Sequence, residues 1–309
     1  MVQTKAKVSP LLERLERGEP MISDGATGTY LQSHGLEPGG CPEEFNASHP
    51  ELVKGMSKEY FEAGSDMVLT NSFGGSRFML NKYGHVGRVR EFNTLASQNA
   101  RSVAPAGGLV AGSVGPTGEF LEPLGPVTEA EMLDAFAEQV TALEEGGADA
   151  IIIETMTALE EASLAIRATK ENTGLPVIAT MTFDKGPRGF FTMMGVQPAR
   201  AATELSAAGA DIVGANCGNG IDAMIEIARD MRDAVDGYLL IHSNAGIPAI
   251  RQGQIVYPET PEYMAERFKI LADIGINIFG GCCGTTPNHV RALSQIIRGG
   301  QRTGAVGHP

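Results

Sequence analysis

The stretch GGADAIIIET, residues 146–155, decides the fold, and AAGADIVGAN, residues 207–216, repeats its plan. Each leaves a helix-like segment on glycine, turns through an aspartate and enters an apolar run that ends on a polar side chain. Runs that are apolar at every position, not at alternate ones, suit strands covered on both faces, as in the parallel sheets of α/β proteins. Outward from these two, six further runs read as strands: MISD (21–24), DMVLTN (66–71), LVAGSV (109–114), PVIATMTF (176–183), YLLIHSN (238–244) and INIFGG (276–281).

Between them, apolar residues at three- and four-residue spacing predict helices over 50–63, 128–145, 159–171, 198–208, 221–234, 261–272 and 287–297. Gly64, Gly146, Gly209 and Gly275 stand where helix C-caps belong, and Pro261 and Pro287 stand near helix starts. Eight strand-then-helix units imply one α/β domain, a (β/α)8 TIM barrel over residues 20–297. Residues 1–19 form an N-terminal extension with a short helix, and 298–309 a flexible C-terminal tail. A doubly wound open sheet is the rival, but the first-strand turn DGATGT (24–29) is not a G-x-G-x-x-G turn. Two long segments, 30–49 and 115–127, follow strands 1 and 3, on the side where a barrel builds its active-site mouth.

Composition narrows the class. The 309 residues are 42% hydrophobic and 20% charged, with a formal net charge of −13. That balance argues against a nucleic-acid binder, which needs a basic face, and against polybasic membrane attachment. No run approaches the roughly 20 apolar residues of a membrane span, and MVQTKAKVSPLLERLERG lacks a secretion signal's apolar core. A cytoplasmic location is expected, and a homo-oligomer is compatible with everything above.

Four cysteines occur, Cys41, Cys217, Cys282 and Cys283. Two are sequence neighbours, which makes a disulfide framework a poor reading and metal or nucleophile chemistry a better one. Cys217 ends the sixth strand in Asn216-Cys217-Gly218, and Cys282 and Cys283 end the last in GGCCGTTP (280–287). In a barrel those ends converge on one face. Three thiolates with an open fourth position describe a catalytic zinc site, where an incoming thiol would be held as thiolate at neutral pH. Cys41, in a Gly/Pro loop, reads as a bystander, and His242, inside an apolar strand, as a core histidine with its hydrogen bonds satisfied.

Together, DGATGT, TNSFGGSR, GPTGE, IIIET, GANCG, SNAG and GGCCGTTP resemble the zinc-dependent homocysteine S-methyltransferase family. That family includes the homocysteine module of cobalamin-dependent methionine synthase and the betaine–homocysteine methyltransferases. The resemblance implies that Cys217, Cys282 and Cys283 bind zinc and that homocysteine sulfur becomes a further ligand. It also implies that Asp24, Gly25 and Ala26 grip the amino-acid part of homocysteine, and that Glu154 binds its ammonium. Asn244 could touch the zinc when substrate is absent, orient the donor, or simply form a turn. Asn71 and Ser113 are weaker lining candidates.

The methyl donor is read from what the chain lacks. Betaine enzymes of the vertebrate type carry a loop tyrosine where Gly74 stands here, and a tryptophan over the quaternary ammonium, whereas this chain has no Trp. TNSFGGSRFMLNKYG (70–84) looks closer to the methionine-synthase module. No D-x-H-x-x-G cobalamin motif is present, so the expected donor is methylcobalamin carried by a separate corrinoid protein. Betaine or another onium compound is the alternative, caged by Tyr30, Phe45, Phe73, Phe78 and Tyr83. A phosphate-binding barrel lyase and a zinc or redox thiol sensor are more distant rivals.

Overall fold

The computed structural model describes residues 9–251 and 254–303. Eight parallel strands form a single sheet: β1 Met21–Ile22, β2 Met67–Leu69, β3 Leu109–Val114, β4 Ala150–Met156, β5 Val177–Met181, β6 Ile212–Asn216, β7 Tyr238–Ser243 and β8 Ile278–Gly281. Their order, β1-β8-β7-β6-β5-β4-β3-β2, is that of a (β/α)8 barrel and excludes the doubly wound alternative. A short helix, α1 Pro10–Glu16, precedes the barrel.

Side-chain parity sorts the strands' two faces. Outward residues such as Ile151, Ile153, Val177, Val213 and Ile241 pack under the helices. Inward residues Met67, Leu109, Ile152, Ile178, Ile212, Leu240 and Ile278 meet inside the barrel, and Leu11 and Leu15 of α1 plug them from below. Two or four residues further along the same inward columns stand Ser113, Glu154, Thr180, Asn216, His242 and Cys282, all beyond the apolar floor. The strand pleat that fills the floor therefore also delivers the polar mouth.

The helices following β1 to β8 are α2 Pro50–Ala63, α3 Val89–Val103, α4 Glu129–Glu145, α5 Leu159–Asn172, α6 Pro198–Ala207, α7 Ile221–Ala234, α8 Pro261–Ile274 and α9 Pro287–Thr303. Thr128 caps α4 through a capping box with Glu131, and Gly64 and Gly275 take the left-handed C-cap conformation. Helix α3 has no counterpart among the expected helices. Its buried face carries the apolar stripe Val89, Phe92, Ala96 and Ala100 beside Asn93, Ser97 and Asn99, a spacing that marks a helix. Asn93 Nδ2 donates to the Val89 and Gly75 carbonyls and Asn99 Nδ2 to the Asn46 carbonyl, while Asn93 Oδ1 and Ser97 Oγ have no partner among the described residues.

Closure between β1 and β2 relies on carboxylates. Asp66 N–H donates to the Ile22 carbonyl at 2.7 Å, Ile22 N–H donates to Asp66 Oδ2 at 2.8 Å, and Leu69 N–H donates to Asp24 Oδ2 at 2.7 Å. Asp66 Oδ1 also receives Arg14 from α1 at 2.7 Å and Arg298 from α9 at 3.0 Å. The last helix continues to Thr303, past the expected tail start at 298, and Arg298 docks on this seam. Residues 1–8 of the N-terminal extension and 304–309 of the tail lie outside the described residues. Among the described residues, no helix is long and apolar enough to cross a membrane.

Candidate active site

Cys217, Cys282 and Cys283 converge at the C-terminal mouth, with their sulfurs all within 4.8 Å of one another. The intervening strand β7 holds both strand ends: Cys217 N–H donates to the His242 carbonyl at 3.1 Å, and Cys282 N–H to the Ser243 carbonyl at 2.7 Å. Cys217 adopts a left-handed φ of 62°, which turns the chain at the end of β6. Gly284, at φ 79°, turns it after β8, and a Cβ there would overlap the Tyr257 ring.

These residues fit a tetrahedral metal ion. Zn–S bonds of about 2.3 Å place two sulfurs about 3.8 Å apart, and Cys217 Sγ and Cys283 Sγ lie 3.9 Å apart. Hydrogen bonds from the Cys282 and Cys283 thiols hold the Cys217 thiol well below its usual range. The same hydrogen bonds to Cys217, with burial, push Cys282 well up and Cys283 to about 11. Only one of the three is readily a thiolate without a neighbouring cation, so the donor set calls for positive charge. Asn244 lies beside Cys217, and its Oδ1 is buried without a partner among the described residues.

Joined to the thiol group through Asn216, Glu154 lines the same cavity as the three cysteines. Its Oε1 accepts the Ser113 hydroxyl at 2.6 Å and its Oε2 accepts Asn216 Nδ2 at 3.1 Å. Burial pushes its carboxyl up to about 7, against the pull of the Ser113 hydrogen bond. Thr155 follows with φ 60°, and its N–H donates to Asn216 Oδ1 at 2.7 Å.

Gly25 and Ala26 line the same cavity, of about 240 Å³, together with Glu154, Asn71, Ser113 and the three thiol-bearing residues. A Cβ at Gly25 would meet Thr285 Oγ1 at 2.7 Å, which explains the glycine. Ala26 N–H is already engaged, donating to Thr285 Oγ1 at 3.1 Å. Asp24 lies behind the lining: its Oδ2 closes the β1–β2 seam, and burial pushes its carboxyl well up, with the Glu154 charge adding to the rise.

Several expectations change in detail. His242 is buried, but its Nε2 has no partner among the described residues and the residue lines the cavity, because residue 242 falls on the inward parity of β7. Its hydrogen bonds are therefore not satisfied. Of the five aromatic residues proposed as a cage, only Phe73 is among the lining residues; Tyr30 instead stacks on His34. Cys41 stays outside the thiol group, its Sγ donating to Glu43 Oε2 at 3.4 Å. Glu43, missed in the sequence, is buried on the cavity wall, where its Oε1 accepts Gly74 N–H at 2.7 Å. Tyr257, Thr285 and Asn216 were also missed as site residues; inward parity counted up from the floor would have found Asn216.

A second cavity of about 660 Å³ shares Thr155 with the first and is walled by Phe120, Leu124, Met193, Met194 and several glutamates.

The barrel and its mouth define a class: an α/β barrel with three thiols that could hold a metal ion beside a cavity of about 240 Å³. A family model described as homocysteine S-methyltransferase matches residues 21–297, and the chain belongs to that family. It is 33% identical over 297 residues to methionine synthase of Mycobacterium tuberculosis, which covers 90% of this chain and 24% of that protein. It is 32% identical over 310 residues to betaine–homocysteine S-methyltransferase 1 of Rattus norvegicus, covering 93% of this chain and 74% of that one. The chain thus spans about a quarter of the length of the methionine synthases it matches. In fold it resembles the metallated homocysteine methyltransferase MmuM of Escherichia coli, with a TM-score of 0.77, 20% identity, and coverage of 92% of this chain and 99% of that one.

Proposed function

We propose that this chain transfers a methyl group to the sulfur of homocysteine, forming methionine, with zinc held by Cys217, Cys282 and Cys283. The observation that carries the reading is the thiol trio, within 4.8 Å of one another, lining a small cavity together with a buried carboxylate. Bound zinc would supply positive charge that keeps the substrate sulfur deprotonated at neutral pH.

The protein's own groups do the rest. Glu154, aligned by Ser113 and Asn216, receives the ammonium, and Asp24 supports the wall behind the Gly25–Ala26 turn through its bond to Leu69. The Gly25–Ala26 turn faces the carboxylate end. Gripped at both ends, the amino acid presents its sulfur to the donor with little freedom to lose. The sulfur gives up its proton and forms a bond to the methyl carbon. The carrier–methyl bond breaks as the carrier keeps the electron pair, and no covalent enzyme intermediate is needed.

For the donor we favour a methylcorrinoid on a separate protein over betaine or another onium compound. Most of the expected aromatic cage is absent from the cavity lining. The mouth instead carries exposed apolar side chains suited to a macromolecular surface: Leu124 at 74%, Met193 at 67%, Ile250 at 80% and Ile255 at 70% exposure, all in segments that follow barrel strands. A phosphate-binding reading loses support because Thr286 N–H at the start of α9 donates to His289 Nδ1 and Thr285 Oγ1 donates to the Cys282 carbonyl.

Cys283→Ser tests the proposal. It is expected to lose both stoichiometric zinc and methionine formation, and near-normal turnover without zinc would overturn the reading. Wild-type protein given methylcobalamin, betaine and other onium donors in parallel then reports the donor; methionine from betaine alone would reverse the choice.

A further inference from the structure

Asn216 is fully buried at the end of β6, one residue before Cys217. Its Oδ1 accepts Thr155 N–H at 2.7 Å and the Thr180 hydroxyl at 2.7 Å. Its Nδ2 donates to Glu154 Oε2 at 3.1 Å and to Thr155 Oγ1 at 2.8 Å, and lies 3.9 Å from Cys282 Sγ. One amide thus spans three strand ends and touches both the carboxylate and a thiol-bearing residue. Of the two non-glycine residues with left-handed φ among those described, Thr155 at 60° is bound by this amide and Cys217 at 62° is its neighbour in sequence. Backbone strain of this kind persists only where surrounding contacts over-determine it. At Thr155 those contacts come from the Asn216 side chain, and at Cys217 the backbone N–H is held by the His242 carbonyl.

We propose that Asn216 is a positioning residue that fixes the Glu154 carboxylate against the thiol group, and so sets the ammonium-to-sulfur span that the site accepts. The inference rests on the homocysteine reading above and adds to it which residue measures the substrate. Four acceptor and donor contacts at hydrogen-bonding distance leave the amide a single orientation, since exchanging its O and N would face N–H against Thr155 N–H. Glu154 is thereby presented with one oxygen tied to β3 through Ser113 and the other to β6. Its remaining lone pairs are free for a cation.

The test compares homocysteine with 4-mercaptobutyrate, which has the same thiol and carboxylate but no amino group, by direct binding to zinc-loaded protein. Asn216→Ala is expected to weaken homocysteine about 10- to 100-fold, as for a lost hydrogen bond to a charged group. The same variant is expected to leave 4-mercaptobutyrate within about twofold and zinc stoichiometric. Should that variant fail to fold, Thr180→Val removes the hydroxyl that orients the amide, and shifts homocysteine the same way by a smaller factor. Equal losses for both thiols would show a merely structural role and overturn the proposal, as would unchanged homocysteine affinity. Wild-type protein that binds neither thiol would instead overturn the homocysteine reading, and this inference with it.

Discussion

The floor and the mouth of the barrel are built from the same inward-facing columns, yet they answer to different physics. On β4 the column runs Ala150, Ile152, Glu154; on β8 it runs Ile278, Gly280, Cys282. The floor is a contiguous apolar cluster in which each side chain gains by leaving water, about 1.5–3 kcal/mol for a fully buried Ile. The mouth buries Asp24, Glu154, Asn216 and His242, each costly unless paired. Stability is thus concentrated two residues below the chemistry, and the floor gives the mouth a rigid base against which to hold its strained and charged groups.

The sharpest way to break that division is Ile152→Ala. The residue is fully buried in the floor cluster, so the variant is expected to lose about 2–5 kcal/mol of stability, read as a lower denaturant midpoint. Zinc content and homocysteine affinity of the folded fraction should stay at wild-type levels. If zinc affinity falls in step with stability, floor and mouth are one cooperative unit and the contrast fails.

Glu154→Gln probes the mouth alone. Because burial pushes Glu154 up to about 7, the group is ionised above that pH and protonated below it. Homocysteine binding that depends on the anion therefore weakens as pH falls from 8 to 6, approaching about tenfold per unit on the acid side. The variant is expected to bind about 10- to 100-fold more weakly at pH 8 and to lose this part of the pH dependence. Titration calorimetry at three pH values checks it; superimposable profiles for variant and wild type would remove Glu154 from substrate binding.

The same contrast explains what the sequence disclosed. Continuous apolar runs such as 151–153 announce the floor because hydrophobic burial needs no particular partner. Cys217, Cys282 and Cys283 stood out because adjacent thiols between glycines have few structural uses. Asn216, Thr180, Thr285 and Glu43 did not, because a buried polar residue is explained only by its partners. Those partners are remote: Thr180 and Asn216 are 36 positions apart, Ala26 and Thr285 259. Helix α3 is the exception: its stripe of Val89, Phe92, Ala96 and Ala100 is legible in the sequence, although no helix is expected there. Asp24 reads correctly as a strand-end carboxylate, while its hydrogen bond to Leu69 depends on a closure that no local pattern encodes.

His242 gives the finest test of the boundary between the two regions, since it stands between Leu240 of the floor and Asn244 beside the thiols. Burial pushes its imidazole down from 6.5 to about 3, and no neighbouring acid offsets that. The folded protein therefore resists a proton that the unfolded chain accepts. The stability contribution is fully present above the unfolded value near 6.5 and is lost as pH falls toward about 3, with a slope of at most about 1.4 kcal/mol per pH unit. His242→Gln, which cannot take up that proton, is expected to flatten this part of the profile, by about 1 kcal/mol between pH 6 and pH 5. Denaturant midpoints on chelator-treated protein measure it without the separate acid loss of zinc from the cysteines. Parallel profiles for variant and wild type would mean that His242 is protonated or watered in the folded state, and that the dry floor stops one residue pair lower than the structure places it.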